Sequence, residues 1–178
     1  NKGNTFRTIK NTLCDIGYKS LFYKVLNSKD FGLPQNRERI FIIGFRKKVN
    51  FTFPKPLGIN TSVGSILQRR VAEKYTISDK LWAGHKRRVS QHAARGNGFG
   101  YSLFNSKSEY TSTISARYYK DGSEILIDRK GSNPRKITPR EAARLQGFGE
   151  DFIIPVSDAQ AYKQFGNSVS VPVIRAIS

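Results

Sequence analysis

Residues 40–45 read Ile-Phe-Ile-Ile-Gly-Phe, an unbroken apolar run of strand length. Such a run fits the interior of a sheet covered on both faces, which predicts a buried strand over Ile40–Phe45. A second strand is predicted over Leu21–Leu26, and the stretch from Asp30 to Arg39 becomes a loop set between two core strands. Upstream, Phe6, Ile9, Leu13 and Ile16 recur at helical spacing over 4–16, and Gly17 supplies the stop.

Pro54, Pro56 and Gly58 mark a boundary after Phe53. Beyond it a helix is predicted over 79–95, capped by Ser78 or Asp79, with Leu81, His85, Val89 and His92 on one face. A glycine-rich loop follows over 96–101. Thr111–Tyr119 and Ser123–Ile127 flank Asp121-Gly122, which predicts a hairpin. Thr138-Pro139-Arg140-Glu141 combines a threonine cap, a first-turn proline and a glutamate three residues after the cap, so a helix starts there and Gly147 ends it. Gly166 precedes an apolar helix over 167–177. No internal repeat or low-complexity tract is present.

Charge narrows the function classes. The chain carries 31 basic and 13 acidic residues, a net +18. By segment the excess is +9 over 1–56, +7 over 57–134 and +2 over 135–178, so it is spread through folded sequence rather than confined to a tail. A polyanion is the expected partner, and nucleic acid fits better than a membrane because no basic amphipathic helix stands out. Charge alone leaves a structural RNA-binding protein open. No apolar run approaches the roughly 18–20 residues of a membrane span. With 38% hydrophobic residues, 178 residues suffice for one domain or two small ones. The single Cys14 permits no internal disulfide and indicates a reducing, cytoplasmic setting. His85 and His92 stand seven apart with no Cys-x-x-Cys and no third ligand in view, so no metal site is expected.

Three blocks, in order, resemble the last three motifs of bacterial 5-methylcytosine DNA methyltransferases. They are Phe31-Gly-Leu-Pro-Gln-Asn-Arg-Glu-Arg-Ile-Phe-Ile-Ile-Gly-Phe45, Arg135-Lys-Ile-Thr-Pro-Arg-Glu-Ala-Ala-Arg-Leu-Gln-Gly-Phe148 and Ala161-Tyr-Lys-Gln-Phe-Gly-Asn-Ser-Val169. The resemblance implies an α/β fold: an incomplete S-adenosylmethionine-dependent methyltransferase sheet over 1–52, and a smaller β-rich target-recognition domain over 53–164 that includes the 138–147 helix. The stretch 165–178 would return to the catalytic domain. It also implies methyl transfer from S-adenosylmethionine to cytosine C5 in double-stranded DNA.

Residue roles follow from the same resemblance. Arg37 and Arg39 alternate along extended chain and so point to one face; Arg39 would contact the flipped cytosine and Arg37 would support that site. Asn167, Ser168 and Val169 would line the cofactor site, with Gly166 and the helix opening after it letting a polar ligand approach. Thr113-Ile114 resembles the family's Thr-Leu pair at the entrance to the recognition region. Thr113 itself, Arg117, Tyr118 and Tyr119 behind it, and Arg95 beside the glycine-rich loop are the candidate DNA contacts. Arg140, Glu141 and Arg144 are expected to form a charged lattice that fixes the recognition region. Gly149 stands where the family usually has proline, which would loosen the local turn.

The family's nucleophilic cysteine sits in a Pro-Cys-Gln loop, with a glutamate in Glu-Asn-Val and a glycine-rich cofactor loop upstream; none of these occurs among the 178 residues. Cys14, mid-helix between Leu13 and Ile16, is read as a packing residue. Asn1-Lys-Gly-Asn-Thr-Phe6 resembles the stretch shortly after Glu-Asn-Val. The expectation is therefore a fragment or one subunit of a split enzyme, inactive without a complementary amino-terminal portion. Two rivals stand beside it: a DNA-binding module with no catalytic partner, and an RNA cytosine methyltransferase of the same family.

Overall fold

The computed structural model of the chain describes residues 3–94, 96 and 100–178. The first helix, α1 (Asn4–Asp15), begins after Gly3 and stops at Gly17, where φ of 98° suits glycine alone. It buries none of its own residues. It meets the sheet through Phe6, whose ring contacts Tyr23 edge-on at 4.8 Å, with Lys10 over the same ring. Cys14 is exposed, so its expected packing role is corrected: the helix lies on the sheet through Phe6 and leaves the cysteine outside.

Strands β1 (Ser20–Asn27) and β2 (Glu38–Phe45) pair antiparallel from Ser20↔Phe45 to Asn27↔Glu38. The buried strand expected over Ile40–Phe45 is a strand but is not buried. On one face Phe22, Phe45, Phe51 and Phe53 form a run of contacting rings. On the other, Tyr23, Val25 and Ile40 stay about half exposed. An apolar run is buried on both sides only where a layer lies on both sides, and here Phe6 of α1 is the cover on the Tyr23 face.

A single 3₁₀ turn (Ser28–Phe31) leads out of β1. Beyond Phe53 come α2 (Asp79–Ala94) and a small sheet in which β3 (Leu103–Phe104) runs parallel to β4 (Leu126–Ile127), and β4 antiparallel to β5 (Arg135–Lys136). Then follow α3 (Pro139–Leu145), α4 (Asp158–Asn167) and α5 (Val171–Ile177). The larger core lies in this half: Val63, Ile66, Ile114, Tyr118, Ile125, Ile137, Leu145, Tyr162 and Phe165 are all buried together. A smaller cluster of Leu26, Phe31 and Val173 docks α5 on β1.

Three expectations for this half are corrected. The expected β-rich character shrinks, among the described residues, to three strands of two residues each. The hairpin around Asp121-Gly122 does not form, because the backbone of 111–114 is already engaged. Thr111 N donates to Pro34 O, Asn36 N donates to Thr111 O, and Ile114 N donates to the Gln35 side chain. Gly122 still makes its turn, at φ 66°. Finally, 166–169 does not open a helix: Gly166 and Asn167 close α4, and α5 opens at Val171 with Pro172 in its first turn. The α4 signals were present, a Ser157 cap and Ala161, Tyr162 and Phe165 at helical spacing. Among the described residues no helix is long and apolar enough to cross a membrane.

Candidate functional site

The loop between the two long strands is built by its own polar side chains. Asn27 accepts from Lys29 N and Arg37 N and donates to Asn36, which closes 28–36 into a compact bend. That bend presents Pro34–Asn36 to residues 111–113, where Gln35 and Thr111 form a parallel bridge and Thr113 Oγ1 donates to Asn36 O at 2.6 Å. Gln35 is fully buried; its amide donates to Leu145 O and its carbonyl accepts from Ile114 N, each at 3.0 Å. One side chain thus ties the end of α3 to the entrance of the 114–118 segment.

Arg37 completes the junction. It is 3% exposed, and its guanidinium donates to Ile114 O (3.0 Å), Gly166 O (3.0 Å) and Ser168 O (2.8 Å). Carbonyls alone receive it, so the charge is neutralised by dipoles rather than by a carboxylate among the described residues. Burial holds its pKa down to about 10, and the like charge of Arg39 adds to the depression. It remains cationic at neutral pH. Arg39 is exposed and donates to Glu38 O at 2.6 Å. The expectation that the two arginines share one open face is therefore corrected: Arg37 turns inward because three carbonyls await it, and Arg39 keeps its charge at the surface.

Gly166 lies against the backbone of Ser115 and Ala116 so closely that a Cβ would collide with both. Gln146 braces the same place, donating to Phe165 O at 2.9 Å and accepting from Ser170 Oγ, which in turn meets Ser28 Oγ at 2.6 Å. The α4–α5 break is thereby fixed from below. Above it, Asn167 and Val169 are exposed and Ser168 is half-buried. One amide and one aliphatic surface side by side suit a wall of a site for a ligand with both polar and apolar parts.

The expected DNA contacts separate. Arg117 and Tyr119 are exposed on the 116–120 turn, and Thr113 is half-buried with its hydroxyl spent on Asn36 O. Tyr118 is corrected outright: it is fully buried, its hydroxyl donating to Ile125 O (2.6 Å) and accepting from Ile137 N (2.9 Å). Alternation along the turn sends it inward, where it joins the core beside Tyr162. Arg95 lies outside the described residues. α2 backs the 116–122 turn: Arg88 pairs with Asp121, and buried His85 faces Asp121 O and the Arg88 guanidinium beneath Trp82 and Tyr101. Desolvation lowers the His85 pKa, against the opposing pull of Asp121. Among the described residues no three His, Cys, Asp or Glu come together as metal ligands.

The charged lattice around α3 is present. Buried Glu141 accepts two bonds from Arg135 (2.7 and 2.8 Å), one from Thr138 N in the capping box and one from Gln68 N. Arg144 joins Glu150 and Ile66 O, and Arg140 donates to Gly149 O and Phe152 O, so the turn at Gly149 is braced rather than loosened. Sequence reasoning missed Gln35 and Gln146 as junction residues. Their signal was a glutamine inside an apolar motif, where an amide has to find partners.

Comparisons with known proteins agree on one family. The profile described as C-5 cytosine-specific DNA methylase matches residues 1–178. The Type II methyltransferase M.SsoII of Shigella sonnei is 65% identical over 182 residues, covering 99% of this chain and 48% of that protein. The Type II methyltransferase M1.ScrFI of Lactococcus lactis subsp. cremoris is 62% identical, covering 99% and 46%. The chain spans about half the length of these curated relatives. Among solved structures, the S. pombe Dnmt2 methyltransferase superposes with a TM-score of 0.78 at 16% identity, over 98% of this chain and 60% of that one, a likeness of α/β fold.

Proposed function

Because the chain belongs to the C-5 cytosine-specific DNA methylase family, we propose that it supplies the target-recognising part, and portions of the base and cofactor pockets, of a DNA (cytosine-5-)-methyltransferase. Residues 1–52 and 165–178 serve the catalytic domain in this reading, and 53–164 reads double-stranded DNA. The relatives named Type II methyltransferases support a modification enzyme of the restriction–modification kind.

The observation that carries the reading is the Arg37 junction. It draws the entry to β2 beside Arg39, the 114–117 segment and the 166–169 break to one point. A methyltransferase of this chemistry needs those three parts in register: a cationic group for the base, a reader for its neighbours and a wall for the methyl donor. The target base must leave the stack, at a cost of a few kcal/mol of unstacking, and be met by fixed polar groups. Arg39, exposed on β2, offers a guanidinium to a base carbonyl; Arg37 fixes the backbone behind it. Asn167, Ser168 and Val169 would hold S-adenosylmethionine on one side, and that cofactor supplies the methyl group. The nucleophile belongs to a Pro-Cys-Gln loop that these residues do not include.

Labelled methyl transfer tests this. The chain alone should transfer nothing, and mixing it with a complementary chain that carries Pro-Cys-Gln should restore transfer to cytosine C5 in duplex DNA. Transfer by the pure chain alone overturns the division of roles. Transfer by the mixture to RNA, with none to duplex DNA, overturns the substrate.

A further inference from the structure

Outside the junction, a concentration of positive charge around a cavity lies behind the small sheet. A recess of about 330 Å³ is lined by Gln68, Arg69, Arg70, Val71, Arg129 and Arg135. Its floor is rigid and neutral. Arg135 is locked bidentately to buried Glu141, which also accepts Gln68 N, while Thr138 Oγ1 donates to the Gln68 side chain at 2.6 Å. One wall is Arg129, aimed by Thr76 and by Glu73 at 3.4 Å. The other carries Arg69 and Arg70, both exposed, neither within ion-pair distance of a described carboxylate. Four guanidinium groups thus face two carboxylates, and the two unmatched charges sit at the mouth.

We propose that this recess seats a backbone phosphate of the DNA duplex, and the proposal rests on the DNA-reading function above. A guanidinium fork matches the two free oxygens of a phosphodiester. Apart from Val71 the lining is polar or cationic, which disfavours an apolar ligand. The recess is also carried by the element that carries the reader: Arg135 lies in β5 and Arg129 just beyond β4, while Tyr118, next to Arg117, is bolted to the same sheet through Ile125 O and Ile137 N. A phosphate held here sets the offset at which Arg117 meets the bases. Phosphate contacts position a protein on the duplex, and base contacts specify.

Fluorescence anisotropy of the 178-residue chain on duplexes of different sequence, across a salt series, tests the assignment. Arg69→Gln with Arg70→Gln should weaken binding by the same factor on every duplex and reduce the salt slope by about 1. Both residues are exposed, so the thermal midpoint should stay put, and Arg69→Lys with Arg70→Lys should recover most of the slope. Lys47→Gln with Lys48→Gln, at the far end of β2, is the comparison. An unchanged slope in the arginine variant beside a reduced one in the lysine variant overturns the recess but leaves the DNA-reading function standing. Absence of DNA binding by the unmodified chain overturns both. Calorimetric binding of inorganic phosphate, lost in the arginine variant while duplex affinity is unchanged, would assign the recess to a free anion and overturn the duplex as occupant.

Discussion

Arg37 donates to the carbonyl of Gly166 across 129 residues of chain, and the same glycine presses on the backbone of Ser115 and Ala116. The motif that contains Arg37 and the motif that contains Gly166 are thus two halves of one contact. Either side can be removed singly, and the consequences differ.

Arg37→Met takes the donor from two buried carbonyls, Ile114 O and Gly166 O, and from the half-buried Ser168 O. Each unsatisfied group costs about 1–3 kcal/mol, so a loss of roughly 3 kcal/mol or more is expected in the urea unfolding free energy. Arg37→Lys should recover part of it, since a single ammonium reaches fewer of the three. Equal stability in the methionine variant would show that water relieves the cage.

Gly166→Ala adds a methyl where no space exists, against backbone that cannot rotate away. Overpacking of this kind costs typically about 1–3 kcal/mol, and here the strain falls on the 115–117 segment. Hydrogen exchange should therefore report faster opening at Ile114, whose N–H is held by Gln35. Unchanged protection there would count against the contact.

Tyr118→Phe separates a core role from a DNA role. It strips a donor from Ile125 O and an acceptor from Ile137 N, so stability should fall by about 1–3 kcal/mol, with sequence preference on a panel of duplexes unchanged. A shift in preference without loss of stability would return Tyr118 to the DNA surface.

His85 gives the chain an acid-sensitive spot. Its folded pKa is depressed below the ordinary 6.5 by desolvation, so the unfolded chain takes up the proton first. The stability it contributes is present above about pH 6.5 and is lost as the pH falls below that. The only tryptophan, Trp82, lies edge-on to the His85 ring at 6.5 Å, so its fluorescence follows the loosening of α2. His85→Gln should flatten the dependence of the urea midpoint between pH 7.5 and 5.5. An equally steep dependence in that variant would place the sensitivity elsewhere.

In the complemented enzyme, Arg39→Ala should slow methylation at every substrate site, because the base it is proposed to meet is common to all. Arg117→Ala should relax discrimination at one base pair by about 1–3 kcal/mol if it reads guanine bidentately. Rates on single-substituted duplexes measure both. Altered preference from the first variant, or uniform slowing from the second, reverses the assignments.

Local signals in the sequence were dependable where neighbouring residues alone decide the outcome. The Thr138–Glu141 capping box and the start and stop of α1 are formed by groups within a few residues of each other, and the two long strands carry their own apolar runs. What escaped was decided at a distance. The hairpin at Asp121-Gly122 lost to Pro34–Asn36, which take the backbone of 111–114 from outside the segment. Tyr118 and Arg37 carry polar groups usual at a surface, yet both are buried, because carbonyls 7 to 131 residues away accept their donors. The placement of Arg117 and Tyr119 at the surface was legible, since a turn leaves its outward side chains little else to touch.

Tyr118 closes the chain on itself: its hydroxyl spans Ile125 O and Ile137 N, a side-chain staple across 19 residues. The span between the staple's ends is anchored by that phenol together with the short β4–β5 pairing just inside it. Insertions or deletions between 128 and 134 would leave that anchor untouched. A scaffold stapled in this way lets the 128–134 loop change length while the core around Tyr118 keeps its packing.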